Sequence, residues 1–314
     1  MSILVTGSSG FIGSKLCGFF AKKKILFYSL DKKIDTYKNN FYLSDILNKL
    51  ELYNIIKKIR PKYIIHAAAR TDLQGTTLID YKENYLGTLN IIKAANQVNS
   101  VKRIIFFSTL LVNKIDYNPR SLRDYNPDTY YGQSKVLMEK LILKSKIKAK
   151  WCIVRPTTVW GPGVNNHFKT FLKLINNGLY FNISNKKTFK TYGYIENIIY
   201  QIYKLIYAES RFFNSKTYYL ADYKPLCIED WANQISIILR GKKNNELNYK
   251  ILKLFALLGD LLEKLNIRVF PLNSRRLNNM TANLIRDVED LKEVCGNLPV
   301  NSNTATKRFA KLTL

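Results

Sequence analysis

Across its first half the chain alternates short apolar runs with longer segments of helical spacing, a rhythm that restricts it to a parallel sheet wrapped by helices. The runs lie at residues 3–5, 25–30, 63–65, 104–107 and 151–154, and the helical segments at 11–23, 46–59, 80–98 and 130–144. Strands that alternate with helices build right-handed βαβ units. The runs are too short for helices and almost wholly apolar, as strands covered on both faces must be. The fold class read from this pattern is α/β, a doubly wound parallel sheet. After Arg155 the rhythm changes. Gly161-Pro162-Gly163 breaks the chain, and helical spacing then dominates at 168–176, 196–207, 228–239 and 248–265. The expected division is a sheet domain at 1–160 and a smaller, mostly helical lobe at 161–314, with the chain free to cross between them more than once.

The turn after the first run is Thr6-Gly7-Ser8-Ser9-Gly10-Phe11-Ile12-Gly13. Glycines there permit a tight turn, a close approach of backbone to a pyrophosphate, and close contact between helix and strand. The helix that follows offers free N–H groups and a partial positive charge to phosphates. A glycine pattern alone says little, but this one sits between a strand and a helix, where a dinucleotide site needs it. Asp31 ends the second run. Its carboxylate suits the adenosine ribose hydroxyls and repels a 2′-phosphate, which favours NAD over NADP. Lys32 and Lys33 follow at once and leave NADP possible.

The fourth run ends in Phe107-Ser108-Thr109, which puts hydroxyls at the carboxyl edge of a strand, where open α/β sheets bind ligands. Tyr131-Gly132-Gln133-Ser134-Lys135 then places a phenol and an ammonium four residues apart, on one helix face. The same spacing recurs at Tyr28/Lys32, Tyr53/Lys57, Tyr200/Lys204 and Tyr249/Lys253, so position is what singles out Tyr131. A free tyrosine is a poor base at neutral pH, and a nearby ammonium favours its phenolate. Tyr131 is therefore the expected acid/base, Lys135 its electrostatic partner, and Thr109 with Ser108 the hydroxyls that hold the reacting oxygen.

With 46 % hydrophobic residues the chain can build a substantial core. Its apolar stretches are interrupted by charge before membrane-spanning length, and no secretory leader is read at the start. The expected location is the cytoplasm. Cys17, Cys152, Cys227 and Cys295 are scattered without metal-like pairing, so reduced, packed thiols and no metal are expected. The formal charge of +27 would draw nucleic acid or an anionic membrane. The lysines are spread along the chain, however, with Lys22-Lys23-Lys24 the longest run, so no specific nucleic-acid partner is expected. The stretch 251–262 is amphipathic with basic flanks. It reads as a core-facing stripe, with weak association to a membrane surface as the alternative.

Further motifs keep the order and spacing of a known family: Ser44-Asp45-Ile46, His66-Ala67-Ala68-Ala69, Asn84-Tyr85-Leu86-Gly87-Thr88 and Arg155-Pro156-Thr157-Thr158-Val159-Trp160-Gly161-Pro162. With the glycine turn, Asp31, Ser108-Thr109 and Tyr131 to Lys135, they make residues 1–165 resemble the NAD-dependent epimerase/dehydratase family, the extended short-chain dehydrogenases. The resemblance implies a Rossmann-type domain at 1–160, a substrate-binding lobe at 161–314, and NAD as cofactor. It places Gly7, Ser9, Gly10, Phe11, Ile12, Gly13 and Asp31 on the dinucleotide, Asp45 and Ile46 at the adenine, and Ala67, Ala68 and Ala69 along the cofactor. Asn84 helps to hold the active-site strand, Pro156 flanks the nicotinamide, and Tyr131 and Lys135 also contact the cofactor. Lys190 stands where the family often has a diphosphate-binding Arg. Arg70, Thr158, His167, Arg275 and Arg276 are further candidates for substrate contact. A homodimer formed through the helices beside the fourth and fifth strands is expected.

Departures from the family pattern narrow the chemistry. Leu110-Leu111 replaces the acid pair of sugar dehydratases, Thr158 replaces a usual Asn, and Asn113 replaces a common aromatic. His167 lacks the Cys that accompanies such a histidine in 3,5-epimerases and reads as a lid or surface residue. The expected activity is a nucleotide-sugar epimerase or keto-reductase of surface-polysaccharide biosynthesis. A dehydrogenase of a steroid-like or lipid-linked alcohol, and a non-catalytic dinucleotide-binding regulator, are the alternatives.

Overall fold

The computed structural model describes residues 2–34, 40–163, 166–264 and 272–311, without the side chains of residues 166, 167, 264 and 275. The candidate side chains of His167 and Arg275 therefore lie outside the described residues.

The first half folds as its alternation requires. The elements are β1 (Ile3–Thr6), α1 (Phe11–Lys22), β2 (Phe27–Asp31), β3 (Phe41–Leu43), α2 (Lys49–Ile59), β4 (Tyr63–His66), α3 (Thr88–Asn96), β5 (Arg103–Phe107), α4 (Tyr130–Lys144) and β6 (Lys150–Pro156). They form a seven-stranded sheet whose other edge is the later strand Lys216–Leu220, in the order Lys216–Leu220, β6, β5, β4, β1, β2, β3. Every neighbouring pair is parallel. The order reverses between β1 and β4, the switch point where such sheets bind ligands. Ile3, Leu4, Val5, Ile64, Ile65, Ile104, Ile105 and Phe106 are fully buried, as expected for strands with helices on both faces.

Two strands of this sheet have no counterpart among the expected runs. β3 has three residues, and Leu43 is exposed, so no apolar stretch announces it. Lys216–Leu220 lies deep in the half that reads as helical. The expected helix at 80–98 is broken into a 3₁₀ turn (Ile79–Tyr81), a π turn (Glu83–Gly87) and α3. Gly87 lets this segment close on Ile46, because a Cβ there would lie 2.3 Å from the Ile46 side chain.

The chain forms two compact units. The first comprises 1–157, 195–221 and 287–299; the second comprises 158–194, 222–286 and 300–314. The helix expected within the later lobe at 196–207 thus belongs to the sheet unit, as Ile195–Tyr207. There the Tyr203 ring meets Phe19 of α1 at 5.3 Å between centroids. The second unit is mainly helical, with Asn166–Asn176, Ile228–Arg240, Tyr249–Lys264, Ser274–Thr281 and Ser302–Lys311. Its core is aromatic. Trp160 lies 5.0 Å from both Tyr194 and Trp231 and 5.4 Å from Phe309. The stripe at 251–262 is a correction. Ala256 is buried and Leu252 packs beside it, but Ile251, Leu254, Leu257, Leu258 and Leu261 are exposed. Among the described residues no helix is long and apolar enough to cross a membrane. The four cysteines are free, and no cluster suited to a metal occurs among the described residues.

Candidate active site

The turn between β1 and α1 is built around missing side chains. Gly7 has φ +73°, and a Cβ there would sit 2.6 Å from the Ala68 nitrogen. A Cβ on Gly13 would sit 2.1 Å from the Gly7 carbonyl oxygen. The turn therefore presses on the Ala67 and Ala68 backbone after β4. Helix α1 starts at Phe11 with no side-chain cap and no acid in its first turn, so its positive end is open to an anion. Asp31 is fixed at the mouth of this turn: its Oδ2 accepts from Ser9 N at 3.0 Å and its Oδ1 from Lys33 N at 3.1 Å. Asp45 Oδ1 accepts from Leu47 N at 2.9 Å, and buried Ile46 is held by Asn90, whose Nδ2 donates to its carbonyl at 2.9 Å. The buried hydroxyls of Ser8 and Ser44, which flank Asp31 along the chain ends of the sheet, have no protein hydrogen-bond partner. A cradle without Cβ atoms, an uncapped helix and unsatisfied hydroxyls fit a dinucleotide.

Behind the turn runs a buried relay. The Thr6 hydroxyl meets His66 Nδ1 at 2.8 Å, and His66 Nε2 meets the Thr88 hydroxyl at 3.0 Å. Thr88 Oγ1 donates to Asn84 O at 2.8 Å, so His66 Nε2 is the donor of that pair and Nδ1 accepts from Thr6. Asn84 Nδ2 reaches Ser134 Oγ at 2.8 Å and Arg70 O at 3.0 Å, and Ser134 Oγ donates to the Tyr131 carbonyl at 2.7 Å. Burial, with the nearby charge of Lys135, pushes the His66 imidazole down to about 3, so it stays neutral.

Tyr131 stands in the first turn of α4. Thr129 caps that helix, its Oγ1 accepting from Gly132 N at 3.0 Å. A Cβ on Gly132 would lie 2.3 Å from the Leu111 carbonyl, so the glycine lets α4 press on the loop after β5. The Tyr131 phenol is buried, and the Thr109 side chain is close enough to draw its pKa down. Lys135 is buried as well, its Nζ donating to the Phe107 carbonyl at 2.7 Å. Burial pushes the Tyr131 phenol up to about 12 against the pull of Thr109. The same burial pushes Lys135 down to about 7, resisted by Glu139. The ammonium thus sits beside Phe107 and does not hold the phenol down, contrary to the simplest reading of the pair.

This phenol–hydroxyl–ammonium group and the glycine cradle belong to a region, residues 3–210, that matches the NAD dependent epimerase/dehydratase family. The chain belongs to that family. It is an NAD-dependent enzyme of the epimerase and oxidoreductase kind. Over 90 % of its length it is 25 % identical to the N-acetyl-α-D-glucosaminyl-diphospho-ditrans,octacis-undecaprenol 4-epimerase of Escherichia coli O157:H7, spanning 86 % of that enzyme. It is 30 % identical over 57 % of its length to the UDP-glucose 4-epimerase of Vibrio cholerae, spanning 58 % of it. The UDP-glucose 4-epimerase of Thermotoga maritima, solved with UDP-glucose, shares the fold with a TM-score of 0.74 at 18 % identity, covering 99 % of this chain and 98 % of that one.

Other candidates of this epimerase-family chain lie elsewhere. Ser108 does not join Tyr131. Its Oγ donates to Glu139 Oε1 at 2.5 Å, inside a buried cluster in which Arg155 Nη2 meets Glu139 Oε2 at 2.6 Å, Tyr125 donates to the same carboxylate, and Arg155 Nη1 reaches Tyr219 OH at 3.1 Å. Nothing but a distant Arg and Glu in the sequence hints at this pair. Arg70 is also occupied. Its guanidinium grips both Asp72 oxygens at 2.9 and 3.1 Å, donates to Asp80 O, and lies over the Tyr81 ring. Pro156 ends β6, and Ala69 continues the loop after β4.

In the second unit, Thr158 and Lys190 line one cavity of about 370 Å³. Its walls include Phe168, Phe171, Tyr180, Tyr192 and Trp231, with Glu229 as the acid. Lys190 is buried, donates to Asn279 O at 2.5 Å, and is pushed down by burial against the pull of Glu229. Arg276 is exposed on Ser274–Thr281 and does not line this cavity.

Proposed function

We propose that this protein is a 4-epimerase of a diphosphate-activated sugar, with a nucleotide sugar as substrate, serving the assembly of a surface polysaccharide. One observation carries the reading: a buried phenol, Tyr131, whose pKa the Thr109 side chain draws down, belongs to the same unit as a glycine cradle fit for a dinucleotide. Gly7, Ser9, Gly10, Phe11, Ile12, Gly13, Asp31, Asp45, Ile46, Ala67, Ala68 and Ala69 would hold NAD, with Asn84, Lys135 and Pro156 toward the nicotinamide. Bound NAD would take the C4 hydride and give it back.

The chain's own residues handle the proton. Tyr131 removes it from the 4-hydroxyl as the carbon is oxidised and returns it when the ketone is reduced on its other face. Thr109 holds the reacting oxygen against the phenol. A phenol at about 12 is a weak base at neutral pH, so charge must favour its phenolate in the working complex; Lys135, one helical turn on, would supply it only by turning from the Phe107 carbonyl toward the phenol. Leu110-Leu111 offers no acid pair for water elimination, which leaves simple hydride and proton exchange. Thr158 and Lys190 meet the substrate's diphosphate end, and the aromatic walls around them suit a flat base.

A 4-keto-reductase would use the same groups and consume one reduced cofactor per turnover. A lipid-linked diphospho-sugar is the second substrate reading, favoured by the 90 % coverage of this chain by the undecaprenol-linked 4-epimerase. The test is to purify the protein, release and identify its dinucleotide, and incubate the enzyme with UDP-, GDP- and dTDP-sugars and with polyprenyl-diphospho-sugars, following C4 by NMR. Interconversion without net cofactor use supports the epimerase. Stoichiometric NADH oxidation replaces it with the reductase, and no turnover of any of these sugars removes both.

A further inference from the structure

We propose that the outer face of helix Tyr249–Lys264 is a membrane-docking surface that lies flat on a bilayer of anionic lipid. Ile251, Leu254, Leu257, Leu258 and Leu261 are all exposed on this helix, Leu254 at 68 % and Leu261 at 55 %. At 3.6 residues per turn they fall within an arc of roughly 120°. Single exposed apolar residues need no explanation, but five on one helix face mark an interaction surface.

Charge says what covers it. The same turn geometry puts Lys253 on one border of the apolar arc and Lys250 within it at the first turn, both exposed. Of the two acids of the helix, Glu263 lies off the arc and Asp260 lies beside Lys253, and both are engaged by the start of the next helix. Asp260 accepts from Ser274 N at 3.0 Å, and Glu263 accepts from Asn273 Nδ2 at 2.9 Å. An apolar band with exposed lysines in it and at its edge, and no acid within it, is the pattern of a helix that sinks its leucines between acyl chains while its lysines meet phosphate headgroups. The formal charge of +27 adds long-range attraction to the same surface.

The helix also touches the second-unit cavity. Its inner face packs Leu252 and Ala256 against Ile183 and Leu277, and Ile183 is itself a cavity wall. Leu277 sits on Ser274–Thr281, the helix that supplies the cavity residue Met280. One layer of side chains therefore separates the cavity from the docking face. The inference does not depend on the proposed reaction, since it rests on this helix alone.

The experiment is co-sedimentation of the full-length protein with sucrose-loaded vesicles, either pure phosphatidylcholine or three parts phosphatidylcholine to one part phosphatidylglycerol. The expected result is binding to the anionic vesicles, at least about tenfold weaker for L254E/L258E, with NAD binding and melting temperature unchanged. In a second variant, L258W, the tryptophan emission should shift to the blue on adding the anionic vesicles. Equal binding by L254E/L258E, or no emission shift in L258W, overturns the proposal. So does light scattering that shows a dimer broken by L254E/L258E together with no vesicle binding by the wild type.

Discussion

The two units solve opposite problems. In the sheet unit, almost every polar side chain near the candidate site has a fixed partner: Thr6, His66, Thr88, Asn84, Ser134 and the Tyr131 backbone form one relay, and Ser108, Glu139, Arg155, Tyr125 and Tyr219 form another. In the helical unit, an aromatic cavity holds one buried cation and one acid, and a helix leaves its leucines in solvent. The contrast teaches that geometry for chemistry comes from satisfied hydrogen bonds, which tolerate little change. Room for a variable ligand comes from apolar surface, which tolerates much. Substitutions in the first unit should therefore be severe and specific, and those in the second graded.

The largest effect is expected at the phenol. Tyr131→Phe should lower kcat by about 10²–10⁴-fold while NAD binding, followed by tryptophan quenching, is retained. Full activity in that variant ends the acid/base assignment. Next comes the buried ion pair, at side-chain exposures of 0 and 1 %. Glu139→Ala strands the Arg155 charge and should cost about 3–5 kcal/mol in urea unfolding. A loss below about 1 kcal/mol would show that the first unit is not pinned in this way.

The His66 prediction concerns acid. Its folded value is pushed down to about 3, below the unfolded value near 6.5, so below pH 6.5 the unfolded chain binds a proton that the folded chain refuses. Stability is present above pH 6.5 and drains as the pH falls toward 3. Between pH 6.5 and pH 5 the loss from this group is about 2 kcal/mol. His66→Gln should flatten that part of the stability curve. An identical acid slope in both proteins contradicts a buried neutral imidazole bonded to Thr6 and Thr88 beside Lys135 and Phe106. In the second unit, Lys190→Met should raise KM about tenfold, the loss of roughly one charged hydrogen bond, with kcat little changed. The smallest change is expected for Arg70→Ala, whose guanidinium is held by Asp72. KM should move less than about threefold, and a larger rise would return Arg70 to the substrate site.

How legible this was in the sequence depended on whether a residue's partner is near in the chain or set by the fold. The glycine turn, Asp31 and the Tyr131-x-x-x-Lys135 spacing are local patterns, legible without the fold. Thr109 and Ser108 are adjacent hydroxyls of equal chemistry. Only the β5 backbone decides that one faces the phenol and the other faces Glu139, 31 residues away. Arg70 looked free because the sequence does not show that Asp72, Asp80 and Tyr81 close around it. The strand Lys216–Leu220 was missed because its partner β6 lies some 60 residues earlier. Helical spacing at 251–262 correctly predicted a helix, but which face it buries was decided by Ala256 and Gly259 rather than by its leucines.

The π turn at Glu83–Gly87 sets a phase. One extra residue in a helical turn rotates everything after it by roughly 100° relative to what precedes. The Asn84 amide and the Thr88 hydroxyl reach Ser134 and His66 because that offset is present. Deletion of Tyr85 or Leu86 would spare every side chain in the relay yet swing Thr88 off the imidazole. Length at this point is as much a determinant as residue identity, and neighbouring loops should accept insertions that this segment rejects.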